Sequence, residues 1–387
     1  MRTSRRLPPS ADRNALSRRL DALRAAGIKY TDLTLSNPTH AAISYPEDLL
    51  QSLSDRRALA YEPSPFGLLR ARQAIAADAL QRGVSIDPER VVLSASTSEA
   101  YSWLFKLLCD AGDVVLVPRP SYPLFDHLTR LELVETRAYD LEYHGRWSID
   151  FASVSSAPEN TRAILAVSPN NPTGSYLSIE EVERLTTICA DRGWALIVDE
   201  VFAGYPLETT APMTDIAVRS PGLTFSLGGA SKSLGLPQIK LAWTIVGGPD
   251  ADCNAALARL ELVADTFLSV GTPVQVAAPA LIRDAAPVRR AIHDRVIRNL
   301  RRLRELARAF PACDVLRVEG GWSAVVRVPA TRTEEQLTLD LLDHEHILVH
   351  PGYFFDFTHE AFIVVSLLPP PDILDDAFVR VLRFVNC

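Results

Sequence analysis

The middle of the chain alternates short apolar runs with segments of helical spacing. The runs at 91–94, 114–118, 163–167 and 195–198 are almost uninterrupted by polar residues, and helical patterns lie between them at 99–108, near 122–131 and at 179–192. Strands that are apolar on both faces predict a mostly parallel sheet covered by helices, an α/β architecture. The pattern changes after an arginine-rich helical segment at 289–308. Short runs at 322–328, 347–350 and 362–366 and a last helix at 372–385 predict a smaller α+β unit, which the N-terminal stretch to about residue 47 joins. The expected organisation is a large domain over 48–285 and a small one built from 1–47 and 286–387.

Composition narrows the partners. The chain has 387 residues, 47% hydrophobic, enough for a substantial core, and with a modest net charge of -7 and no basic block interleaved with aromatics nucleic acid is not expected as a partner. The one basic cluster, Arg289, Arg290, Arg295, Arg298, Arg301, Arg302, Arg304 and Arg308, alternates with Leu300, Leu303, Leu306 and Ala307, which predicts the solvated face of an amphipathic helix. No run approaches the roughly 18 apolar residues a membrane span needs, and the first residues lack a signal-peptide core, so a cytosolic location is expected. Five scattered cysteines, Cys109, Cys189, Cys253, Cys313 and Cys387, show no metal or redox spacing and read as reduced, mostly buried thiols.

Candidate chemistry falls at strand ends, where ligands of such sheets collect. Ser96, Thr97 and Ser98 open a helix, as an ordinary N-cap does and as a phosphate cradle does. The run Asn170-Asn171-Pro-Thr-Gly174 makes a turn whose Asn171 amide projects over the sheet edge. Asp199, at the end of a buried strand, requires a cation or protonated nitrogen as partner. Only four lysines occur, at 29, 106, 232 and 240, and Lys232 sits in a loop of small residues. Where arginine supplies nearly all other positive charge, a lysine so placed suggests an amine that can lose its proton and form a Schiff base.

Taken together, Asn171-Pro-Thr-Gly, Asp199-Glu-Val, Ser231-Lys232 with Gly235-Leu-Pro, and Pro351-Gly352 resemble the class I/II aminotransferases, which are fold type I pyridoxal-phosphate enzymes, over almost the whole chain. The resemblance implies that Lys232 carries pyridoxal 5'-phosphate, that Asp199 pairs with the ring nitrogen, that Asn171 bonds the phenolic oxygen and that Tyr122 stacks on the ring. It further implies that Ser96, Thr97, Ser98, Ser231 and Lys240 hold the phosphate. Tyr61 is then expected to reach the phosphate of the neighbouring subunit, which requires a homodimer.

Four positions depart from the family pattern. Lys240 and Gly229 stand where arginine and serine are usual, and Phe202 replaces a tyrosine. Val364 occupies the position of the arginine that grips a substrate carboxylate, and no lysine or arginine occurs from 333 to 379. Asn37-Pro-Thr and Tyr353-Phe-Phe are expected to line the substrate side, with Tyr353 and Phe354 as apolar walls. The implied activity is transfer of an amino group from an amino donor to a 2-oxo acid or other carbonyl, Lys232 moving the proton. The alternatives are a β-eliminating lyase on the same scaffold and a non-catalytic cofactor-binding regulator.

Overall fold

The computed structural model describes residues 4–8, 12–208 and 214–386. Its strands in chain order are β1 Thr31–Asp32, β2 Val91–Ser94, β3 Val114–Arg119, β4 Glu135–Tyr143, β5 Trp147–Ile149, β6 Thr161–Val167, β7 Ala195–Asp199, β8 Thr224–Gly229, β9 Ala242–Gly247, β10 Asp314–Val315, β11 Ser323–Arg327, β12 Ile347–Leu348, β13 His350–Pro351 and β14 Phe362–Ser366. Eight of them form one sheet in the order β2-β9-β8-β7-β6-β3-β4-β5. The pairs from β4 through β3, β6 and β7 to β8 are parallel, whereas β9 and β5 run antiparallel to their neighbours. A second, antiparallel sheet has the order β10-β11-β14-β13.

The apolar runs behave as a doubly covered sheet requires. Val115, Leu165, Ile197 and Phe225 enter one core with the helix Thr97–Leu108, while Val114, Ile164, Leu196 and Val198 enter another with the helix Ile179–Arg192. By the two-residue period, Asp199 shares the face of Ile197, under the helix Thr97–Leu108. The helix Ile179–Arg192 starts at a capping box, with Ser178 accepting from Glu181 N and the Glu181 carboxylate accepting from Ser178 N.

Several expectations shift. The helix expected near 122–131 begins at Phe125, because Pro123 holds Tyr122 out of helical conformation. The 347–350 run divides: β12 pairs with β1, and β13 turns onto β14. The β4–β5 hairpin and strands β8 and β9 have no counterpart in the sequence reading. The arginine-rich helix, Ala286–Ala307, is amphipathic as expected, with Arg290, Arg298 and Arg301 exposed, and it is also a brace. It buries Val288, Ile292, Val296, Leu300 and Leu303. Meanwhile Arg289 reaches Asp78 at 3.1 Å, Arg302 bonds Asp375 at 2.8 Å, Arg304 bonds Glu208, and Arg295 donates to the Ala41 and Leu368 carbonyls. Cys189, Cys253 and Cys313 are buried free thiols and Cys109 is partly buried; Cys387 lies outside the described residues.

Candidate active site

Lys232 occupies the one-turn helix Ala230–Ser233 that follows β8. The loop after it rests on the brace helix. Gly235 has φ +67°, a Cβ there would meet Ile292 Cδ1 at 2.7 Å, and its carbonyl accepts from the Tyr45 hydroxyl at 2.7 Å. The Tyr205 hydroxyl donates to the Lys232 carbonyl at 2.7 Å and fixes the backbone of the lysine. At the other end of the side chain, Nζ donates to the Ser36 carbonyl at 3.2 Å and lies 5.1 Å and 5.5 Å from the ring centres of Trp322 and Phe202. Burial pushes the amine down to about 8 even though the Asp199 charge acts in the opposite direction. A backbone carbonyl and two aromatic rings are weak partners for an ammonium ion, so an appreciable neutral fraction, the nucleophilic form, is present near neutral pH.

Asp199 is buried at the end of β7. A cation or protonated nitrogen was expected as its partner; among the described residues its hydrogen bonds come from neutral donors, the Tyr101 hydroxyl to Oδ2 at 2.7 Å and the Val201 N–H to Oδ1 at 3.0 Å, while the Lys232 charge acts on it without a bond. Burial raises its carboxyl, and these two bonds and Lys232 act against that rise. The charge of Asp199 also reaches Tyr122, whose phenol is raised by burial first and by Asp199 second. Lys232, Asp199, Tyr101 and Tyr122 therefore share one electrostatic neighbourhood. Tyr122 is 40% exposed and sets its ring edge-on to Phe125.

The turn at 170–174 separates its two asparagines. Asn170 is structural, bonded to Ser121 Oγ, the Pro120 carbonyl and Thr173 Oγ1. The side chain of Asn171, partly buried, makes no hydrogen bond among the described residues. Gly174 has φ +71°, and a Cβ on it would come 2.7 Å from the Gly320 carbonyl oxygen, which explains the glycine beyond any ordinary turn preference. Ser96 caps the helix Thr97–Leu108 through Glu99 N at 3.2 Å, and the Thr97 and Ser98 backbone N–H groups find no acceptor among the described residues. The Ser231 hydroxyl and the exposed Lys240 amine likewise have no bonded partner among them. Tyr61 is 70% exposed, and its hydroxyl makes no hydrogen bond among the described residues.

The substrate side is partly as expected. Ser36, just before Asn37, reaches Lys232, and the Ser366 hydroxyl donates to the Leu35 carbonyl, which joins the N-terminal loop to β14. Tyr353 is exposed, Phe354 packs partly against Leu342 and Leu348, and Phe355 is core. Val364 lies opposite Val325 and His350 and is packed with Trp147, Leu316 and Phe355, an apolar surface with no place for a carboxylate. Arg119, three residues before Tyr122, is held by Asp140 at 2.8 Å. Tyr101, Tyr205, Trp322 and the Ser36 carbonyl escaped the sequence reading. Tyr101 alone had a visible signal, a hydroxyl one turn beyond Thr97 on the same helix face.

The Lys232 amine, the buried Asp199 carboxylate, the unpaired Asn171 amide and the free N–H groups at the start of the helix Thr97–Leu108 all lie at strand ends of one α/β sheet. The chain belongs to the aminotransferase class I and II family, whose model matches residues 29–373. It is 24% identical over 375 residues to the glutamate-pyruvate aminotransferase of Haemophilus influenzae, covering 94% of this chain and 92% of that protein. It is 26% identical over 364 residues to the alanine aminotransferase of Mycobacterium bovis, covering 90% and 83%. Among solved structures, alanine aminotransferase from Pyrococcus furiosus superposes with a TM-score of 0.89 at 22% identity, all of both chains being covered. An Escherichia coli aminotransferase gives 0.87 at 23%, covering 100% of this chain and 98% of that one. The enzyme is an aminotransferase, and the lyase alternative loses support.

Proposed function

We propose that this enzyme binds pyridoxal 5'-phosphate on Lys232 and moves an amino group from an amino donor to a 2-oxo acid or other carbonyl. The observation that carries the reading is the placement of Lys232 just after β8, its amine between the Ser36 carbonyl and the Trp322 and Phe202 rings and within reach of the charge of the buried Asp199 carboxylate. The residues present fit the cofactor. Asp199 would face the ring nitrogen, the unpaired Asn171 amide the phenolic oxygen, and the Tyr122 ring one face. Ser96, Thr97, Ser98, Ser231 and Lys240 would receive the phosphate. When bound, the cofactor draws off the electron pair left at the substrate Cα. Freed when the amine of the donor takes its place, Lys232 would take the Cα proton and return it on the cofactor side.

The homodimer, the large domain 48–285 and the small domain of 1–47 and 286–387 belong to the same reading. Support comes from the exposure of Leu59, Tyr61 and Leu262, at 84%, 70% and 74%, and from the pairing of β1 with β12. A cytosolic location agrees with the absence, among the described residues, of a helix long and apolar enough to cross a membrane.

Substrate choice departs from the relatives named for alanine and for glutamate and pyruvate. The packed surface around Val364 cannot replace a bidentate arginine, which forfeits about 1.5–3 kcal/mol per charged hydrogen bond. The preferred donor is therefore an amine whose carboxylate is absent, masked or distant, or one gripped by apolar walls. The test is a donor screen that follows both the spectral change of bound cofactor and the carbonyl product. Poor turnover of aspartate and glutamate beside an efficient apolar or carboxylate-free donor is expected. Efficient turnover of aspartate or glutamate contradicts the substrate reading.

A further inference from the structure

We infer that Tyr101 is a positioning residue that sets the proton balance between Asp199 and whatever ring nitrogen it faces. The inference rests on the assignment of Asp199 above. The helix Thr97–Leu108 does two things at once. Its first turn presents the free N–H groups, and one turn further on it delivers the Tyr101 hydroxyl to a carboxylate 98 residues away in sequence, at 2.7 Å. Tyr101 is 2% exposed and cannot swing aside: its ring is stacked on Phe105 and lies edge-on to Phe125.

Geometry leaves the hydroxyl one role. Ionised carboxylates only accept hydrogen bonds, so Tyr101 must donate to Oδ2, and the Val201 N–H occupies one lone pair of Oδ1. Two neutral donors favour the charged form against burial without forming an ion pair with it. A carboxylate held in this way is left free to act as the partner of a cationic ring. A lysine or arginine at this place would neutralise Asp199 and leave the ring nitrogen without a counter-charge. Removing the Tyr101 hydroxyl makes the carboxylate more basic, so a proton shared with the ring moves from nitrogen to oxygen, and the ring loses electron-withdrawing power.

The experiment uses holoenzyme loaded with cofactor labelled with nitrogen-15 in the ring, read by NMR alongside steady-state kinetics. In wild type the ring nitrogen resonates as protonated. Tyr101→Phe shifts it toward the unprotonated position and lowers kcat by between about 10- and 100-fold, the loss expected for a hydrogen bond to a charged group, with KM nearly constant. Replacing Tyr101 by 3-fluorotyrosine, a stronger donor of nearly the same shape, shifts the resonance the opposite way and keeps the assay informative should Tyr101→Phe not fold. An unchanged resonance in both variants, with cofactor bound, shows that Tyr101 only packs and overturns the inference. A wild-type ring nitrogen that is unprotonated overturns instead the assignment of Asp199 on which the inference depends.

Discussion

At the scale of single residues, the site works by depriving charges of water and choosing their few partners. Lys232 and Glu200 show the two directions. The lysine is pushed down to about 8, so the rate at which cofactor-free enzyme captures the aldehyde should rise with pH through about 8 and level off well below the usual lysine value of 10.5. Stopped-flow absorbance measures this, and a midpoint near 10.5 would show that the amine is not desolvated. Glu200, whose Oε2 accepts from the Ile216 N–H, is pushed up to about 8 by burial and then by Asp215. A raised carboxyl contributes stability that is full below its ordinary value near 4.5 and is lost as pH rises through the folded value. Between about 4.5 and 8, Glu200→Gln should therefore lose less stability with rising pH than wild type, as thermal melts across that range would reveal. Parallel pH profiles would refute it.

At the scale of elements, chemistry is held by turns that tolerate little change. Gly174→Ala would force a Cβ toward the Gly320 carbonyl in a left-handed conformation. We expect a loss of about 1–3 kcal/mol, measured by chemical denaturation, together with weaker cofactor binding as Asn171 moves. An unchanged midpoint would show that the turn relaxes freely. Such turns explain what the sequence discloses. The strand-end places of Asn171, Asp199 and Lys232 were legible because each pairs a special residue type with the end of an apolar run. Tyr101 left only its place one turn beyond Thr97 as a signal, and that was masked, since a tyrosine among Trp103, Leu104 and Phe105 reads as core and its partner lies 98 residues away. Nor was the Ser36 carbonyl, because a backbone acceptor has no side-chain signature. Strands β8 and β9 were obscured by the glycines, serines and polar residues that their tight surroundings require.

At the scale of the molecule, the site draws on parts distant in sequence: a loop of the first forty residues, five strand ends, the brace helix and the second sheet. Tyr61, exposed on this chain, is expected to complete the site of a partner copy. Mixing Tyr61→Ala chains with Lys232→Ala chains should restore activity in the heterodimer, one intact site having neither lesion, and no recovery after confirmed subunit exchange would place Tyr61 in its own chain's structure. The central claim is that this assembly exists to hold one amine. Borohydride reduction of the cofactor-loaded enzyme followed by peptide mapping tests it most directly. The account predicts the reduced cofactor on Lys232, and attachment to Lys29, Lys106 or Lys240 would contradict it.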